Sequence, residues 1–308
     1  MLRAFFVGLS ENSSLRSFAE SSSVGRRVSG RFVAGTGIDD AVRATQAINR
    51  AGMSVTIDNL GENVTNPDEA RHSAQLYHQI LDSIAANHLN ANISLKLTHM
   101  GLDVDDALAR SIVSGLVAKA ASMSPPGFVR VDMEGSPYTQ RTLDFVCELH
   151  RAPENANAVG TVIQAYLKRS EGDIEKLLSE SIRIRLCKGA YKESADIAFA
   201  AKSDVDANYI RLMKILLKSG IYHGLATHDE NIICEAEAFA RREKLSPDSF
   251  EFQMLYGIRR DLQQSLVRSG WRVRVYIPFG SGWYPYFMRR LGERPANVLF
   301  ILRNLLRS

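Results

Sequence analysis

The chain has only three cysteines in 308 residues, Cys147, Cys187 and Cys234, and they are widely spaced, with no CxxC pair and no histidine at metal-ligand spacing. That pattern excludes a disulfide framework and an ordinary zinc site, and it fits reduced, mostly buried thiols in the cytoplasm. No apolar run approaches the roughly 20 residues that span a bilayer, and no secretory core with a small-residue cleavage site is visible. The expectation is a soluble cytoplasmic protein, at most peripheral on the inner face of the membrane. Charge of one sign is also scarce. The 38 basic and 34 acidic residues leave a net charge of +4 without a block of either sign, so nucleic acid is not an expected partner. The small excess suits an anionic substrate, cofactor or membrane surface. No GxGxxG, GxxxxGK[ST] or GxSxG occurs, which leaves Rossmann, P-loop and α/β-hydrolase readings without an anchor. His228 has no HExxH or carboxylate partner spacing, so no metal is expected.

What is present is an ordinary globular composition, 45% hydrophobic and 23% charged, long enough for one α/β barrel. The economical division is a single domain over 1–308, with a helical N-terminal segment over 1–53 and a β/α barrel over 54–308. The opening stretch is rich in Ser and Arg (Arg3, Arg16, Arg26, Arg27, Arg31), yet Glu11 and Glu20 interrupt a transit-peptide bias. Leu15, Phe18 and Val24 fit a loosely amphipathic segment instead.

Short β-branched runs alternate with longer helical patterns, the signature of βαβ units around a parallel sheet. Eight runs are found, at 54–60, 93–98, 129–134, 160–166, 182–187, 224–228, 250–255 and 273–277. Helical spacing fills 39–51, 70–87, 104–121, 138–149, 173–179, 204–218, 230–244 and 259–269, and Pro295 opens a final helix. Eight strands match a closed (β/α)8 TIM-type barrel, somewhat distorted, with helices before it and a C-terminal helix over the active-site face. Nearly every run ends in a polar residue: Asp58, Lys96, Asp132, Gln164, Arg185, Thr227 with His228, Gln253 and Tyr276. In a parallel barrel these ends open onto one face, so residues distant in sequence are expected to converge on one pocket.

Three local patterns carry chemistry. Arg289 and Arg290, with Glu293 behind them at helical spacing, suit a carboxylate or phosphate, and Tyr276, Trp283, Tyr284 and Tyr286 flank them. Lys96 sits among apolar residues, where a buried ammonium needs a partner; Asp132 or a ligand carboxylate would serve. The segment 185–191 combines Arg185 and Lys188 with Gly189, whose backbone can approach a ligand closely. A strand lysine among apolar neighbours also fits a Schiff-base aldolase or lyase. A carboxylate-binding barrel without chemistry is the remaining alternative.

Read in order, ISLKL (93–97), VRVDME (129–134), RLCKGAY (185–191), ATHD (226–229), FEFQMLYG (250–257) and WYPYFMRRLGERP (283–295) resemble the proline dehydrogenase family, most closely its short monofunctional bacterial members. The resemblance runs from about Ser54 to the C-terminus. It implies a distorted β/α barrel that binds FAD and oxidises L-proline to Δ1-pyrroline-5-carboxylate, the first step of proline catabolism. Carried over position by position, it implies that Lys96, Arg289 and Arg290 clamp the substrate carboxylate, with Glu293 orienting the arginines, and that Tyr276, Tyr286 and Leu255 wall the ring. It places Arg185 beside the hydride-accepting nitrogen of the flavin and Asp132 in support, interacting with Lys96. Met133, Gln164, Cys187, Lys188, Gly189, Ala190, Thr227 and His228 fall at FAD-contact positions. Lys192 and Tyr256 depart from the pattern, standing where many relatives have an aromatic and a histidine. Retention of Tyr276 favours proline over hydroxyproline. A membrane quinone is the implied electron acceptor, and a separate pyrroline-5-carboxylate dehydrogenase is expected downstream.

Overall fold

Most strand runs alternate apolar with polar residues, and parallel pairing sends the two sets to opposite faces. The computed structural model describes residues 30–61, 63–155, 157–284, 286 and 288. Helix α1 (Ile38–Arg50) precedes β1 (Ser54–Asn59), followed by α2 (Pro67–Ala86), β2 (Ala91–Leu95), α3 (Asp106–Ser122), β3 (Val129–Val131) and α4 (Ser136–Arg151). Then come β4 (Val159–Gln164), α5 (Ser170–Ser179), β5 (Arg183–Cys187), α6 (Lys202–Lys218), β6 (His223–Ala226), α7 (Glu230–Arg242), β7 (Phe250–Leu255), α8 (Arg260–Arg268) and β8 (Val273–Phe279). All eight strands are parallel, and β8 pairs back onto β1 to close the barrel. The expected (β/α)8 architecture is therefore observed.

The register shows which face each residue takes. Thr56 pairs with Asn92 and Tyr276, Ser94 with Arg130, Arg130 with Gly160, Gly160 with Arg183, Arg185 with Gly224, Gly224 with Glu251, and Gln253 with Arg274. This set lines the inside of the barrel. The alternate residues, such as Val55, Ile57, Ile93, Leu95, Val129, Ile184, Leu186, Phe252 and Val275, are fully buried in the main core between sheet and helices. At roughly 1.5 to 3 kcal/mol for each large apolar side chain buried, this outer layer is the main source of stability, which leaves the interior free for polar groups.

Several elements differ in extent from the sequence reading. β2 stops at Leu95 and β3 at Val131, shorter than the expected 93–98 and 129–134. Beyond them Glu134 leaves the ladder and accepts hydrogen bonds from Thr98 N at 3.2 Å and Thr98 Oγ1 at 2.6 Å, tying the two strand ends through side chains. α2 begins three residues early because Asn66 caps it, accepting from Glu69 N at 3.0 Å, with Pro67 in the first turn. Asp105 and Asp229 cap α3 and α7 in the same way.

Candidate active site

Asp132 lies at the carboxyl mouth just beyond β3, on the inward-facing set. Its Oδ1 accepts from Arg185 Nη1 at 2.7 Å and from Ser94 Oγ at 2.6 Å, and its Oδ2 accepts from the Tyr276 hydroxyl at 2.9 Å. Arg185 is held on every side: Nε donates to Gln253 Oε1 at 2.5 Å, Nη1 also reaches Ser94 Oγ at 3.2 Å, and Nη2 reaches Thr56 Oγ1 at 3.4 Å. Its carbon centre stands 5.2 Å from the Tyr276 ring centroid, a cation–π distance. The carboxylate and guanidinium are both largely buried, with side-chain exposures of 14% and 7%. Strands β1, β2, β5, β7 and β8 thus contribute to one network around Asp132.

A second carboxyl, Asp58 at the end of β1, is 2% exposed. The Tyr77 hydroxyl of α2 donates to it at 3.2 Å and to Ser94 O at 2.8 Å. Burial raises the Asp58 carboxyl to about 6, with the Lys96 ammonium pulling it down, the Asp132 carboxylate pushing it up, and the Tyr276 and Tyr77 hydroxyls lowering it. Lys96 was expected to interact with Asp132. Asp132 is ion-paired with Arg185, and the half-buried Lys96 is also felt electrostatically by Asp58.

The rim over β4 to β6 carries most of the expected cofactor positions. Met133 and Thr227 are buried, and Gln164 is buried with a side-chain oxygen that meets no hydrogen-bond donor. Burial pushes the Cys187 thiol up to about 12, against the lowering influence of Arg185, so it is not a thiolate nucleophile at neutral pH. Lys188 is ion-paired to Asp206 and to Asp229, the latter at 2.8 Å. Gly189 has φ +107°, and a Cβ there would lie 2.1 Å from the Tyr166 ring. The Tyr166 ring thus packs directly against this glycine. Ala190 is exposed beside it. His228 accepts the Leu255 N–H on Nε2 at 2.9 Å, which joins two expected site residues from neighbouring strand ends.

Over β8 and β1 the buried Trp283, Tyr284 and Tyr286 form a small apolar cluster with Phe32, Val33 and Leu60. The N-terminal segment is stitched to this side by Ala34 N donating to Pro278 O and Gly280 N donating to Gly35 O. Arg289, Arg290 and Glu293 lie outside the described residues. Sequence reasoning gave no role to Thr56, Ser94, Glu251 or Arg274, and it named Asp58 and Gln253 only as polar strand ends. The signal that finds them is parity: each falls on the same two-residue repeat as a recognised inward residue. Among the described residues no group of three or more His, Cys, Asp or Glu is placed to hold a metal ion, and no helix is long and apolar enough to cross a membrane.

A closed parallel barrel with a buried, charged network at the carboxyl ends of its strands defines the protein as a TIM-type β/α barrel with an enzyme-type site. The family description "Proline dehydrogenase" matches residues 41–303. The chain is 40% identical over 309 residues to proline dehydrogenase 1 of Bacillus subtilis (strain 168), covering 100% of both. It is 40% identical over 281 residues to proline dehydrogenase of Deinococcus radiodurans, covering 90% of each. Among solved structures it is similar to proline utilization A (PutA) from Bdellovibrio bacteriovorus inactivated by N-propargylglycine, with TM-score 0.81 and 25% identity, covering 87% of this chain and 32% of that one. The chain belongs to the proline dehydrogenase family.

Proposed function

We propose that this chain oxidises L-proline to Δ1-pyrroline-5-carboxylate with bound FAD, and that the mouth built around Asp132, Arg185 and Tyr276 is where this occurs. The observation that carries the reading is the Asp132 carboxylate, joined at once to Arg185, Ser94 and Tyr276 at the strand ends, in a chain of this family. The mouth suits an anionic ring system: the cations Arg185 and Lys96 stand at the strand ends beside Asp58 and Asp132. The buried, unsatisfied Gln164 oxygen on the rim fits a ring N–H donor. Met133, Gln164, Arg185, Cys187, Lys188, Gly189, Ala190, Thr227 and His228 would hold the flavin.

Proline must lose a hydride from the ring carbon distal to its carboxylate while the neutral ring nitrogen donates its lone pair, which gives a protonated C=N; release of the N–H proton to solvent leaves the imine. Bound FAD supplies the acceptor for that hydride. The chain's own task is orientation and charge. Lys96, with Arg289 and Arg290 oriented by Glu293, grips the substrate carboxylate, and Tyr276, Tyr286 and Leu255 wall the ring and exclude water. Arg185, locked by Asp132, holds a fixed positive charge where negative charge develops. A membrane quinone would serve as the electron acceptor, and a separate pyrroline-5-carboxylate dehydrogenase would take the product.

A spectrum followed by a trap separates this from Schiff-base chemistry at Lys96. Purified protein supplied with FAD is expected to retain a flavin spectrum and to form no borohydride-stable adduct with carbonyl compounds. A colourless protein with a trapped lysine adduct would overturn the reading.

A further inference from the structure

The Gln253 amide lies between a cation and an anion, and only one orientation satisfies both. Its Oε1 accepts from Arg185 Nε at 2.5 Å and its Nε2 donates to Glu251 Oε1 at 2.6 Å. A guanidinium has only donors and a carboxylate only acceptors, so a flipped amide would oppose like groups at both ends. Glu251 is itself fixed: Arg274 Nε donates to its Oε1 at 2.6 Å, Tyr222 Oη donates to its Oε2 at 2.8 Å, and Arg274 Nη1 is anchored on Val55 O at 2.7 Å. Room for the amide comes from the neighbouring strand, where a Cβ at Gly224 would stand 2.2 Å from Gln253 Nε2. The links run without a gap from the β1 backbone through Arg274, Glu251 and Gln253 to Arg185.

We propose that Gln253 is a positioning residue for Arg185: it transmits the fixed direction of the buried Glu251–Arg274 pair to the guanidinium and so sets how Arg185 faces the mouth. With Nε committed to Gln253, the guanidinium plane cannot turn about its long axis, and Nη1 is delivered to Asp132. The part of this proposal that concerns catalysis rests on the reading of Arg185 given above, whereas the part that concerns Arg185 geometry does not.

Two substitutions test it. Gln253→Met keeps the bulk and removes both links. Gln253→Glu keeps an acceptor for Arg185 but sets two carboxyl groups against each other, which then share one proton. When protonated, the introduced carboxyl donates to Glu251 and still accepts from Arg185, reproducing the amide, and this mimicry ends when the proton is lost. In flavin-free protein, the Arg185 Nε–H, followed by nitrogen-resolved NMR and assigned with Arg185→Lys, is expected to exchange with solvent at least about tenfold faster in Gln253→Met than in wild type. In the loaded enzyme Gln253→Met is expected to lower kcat for proline about tenfold with KM within about twofold. The ratio of the Gln253→Glu kcat to the wild-type kcat is expected to fall as pH rises between about 5 and about 8. A residue that merely fills space would tolerate Gln253→Met, which keeps the bulk, with both the Arg185 Nε–H exchange and kcat unchanged. Unchanged Nε–H exchange in Gln253→Met overturns the proposal, and so does a Gln253→Glu ratio independent of pH, which still decides if Gln253→Met fails to fold. Absence of proline oxidation in the wild type would strike the functional reading alone, because the exchange measurement needs neither substrate nor cofactor.

Discussion

Asp58 shows how a single buried group couples the mouth to stability. Burial lifts its carboxyl from 3.8 to about 6, so between those values the folded chain holds a proton that the unfolded chain has released. Stability from this group is therefore lost as pH rises through the window, by about 3 kcal/mol at roughly 1.4 kcal/mol per pH unit. Asp58→Asn removes the dependence. In urea denaturation of the flavin-free protein, the variant should gain about 2 kcal/mol on wild type between roughly pH 4 and roughly pH 7; a difference constant with pH would contradict the assignment. Part of the residue-level picture was legible in the sequence: Asp132, Arg185 and Tyr276 were each marked as strand-end site residues, and they meet. Their partners were not legible, because Arg185 contacts groups 53, 68, 91 and 129 positions away. Only the strand register fixes which of these are in reach. The pairing of Asp132 with Arg185 has the same origin.

At the level of the element, the strands were readable because polar and apolar residues alternate within them, as in RIRLC of β5 and VRVYIPF of β8. Both faces of each strand are covered, so the alternation separates helix-facing from barrel-facing positions. Strand ends were overestimated by two or more residues at β2, β3, β4 and β6, where the chain turns toward the mouth and side-chain hydrogen bonds such as those of Glu134 and His228 take over. The junction after β5 depends on a conformation that sequence reading attributed to ligand approach. Gly189 combines a left-handed backbone with the Tyr166 ring against its α-carbon. Gly189→Ala should therefore strain this loop, lowering stability by about 1 to 3 kcal/mol and reducing the flavin retained on purification. Thermal unfolding, together with the ratio of flavin to protein absorbance, checks both; unchanged values would show that the loop is not held as described.

At the scale of the whole molecule, closure of eight parallel strands removes every sheet edge and brings residues from 54 to 279 around one axis. Many barrels of this fold fill the interior with branched apolar side chains. Here the inward set is polar through two layers, with Glu251, Arg274, Arg130 and Arg183 below and Asp132, Arg185, Gln253 and Tyr276 above. The floor orders the mouth, and the apolar layer under the helices provides the burial energy. The side chains at the mouth are thus held by one another through hydrogen bonds within the barrel.

Anaerobic titration of the FAD-loaded protein with L-proline, watched in the flavin absorbance band, tests the central claim most directly. Stepwise bleaching to a reduced flavin, with pyrroline-5-carboxylate formed in equal amount, is the predicted result. A flavin spectrum that stays oxidised under excess proline would contradict it.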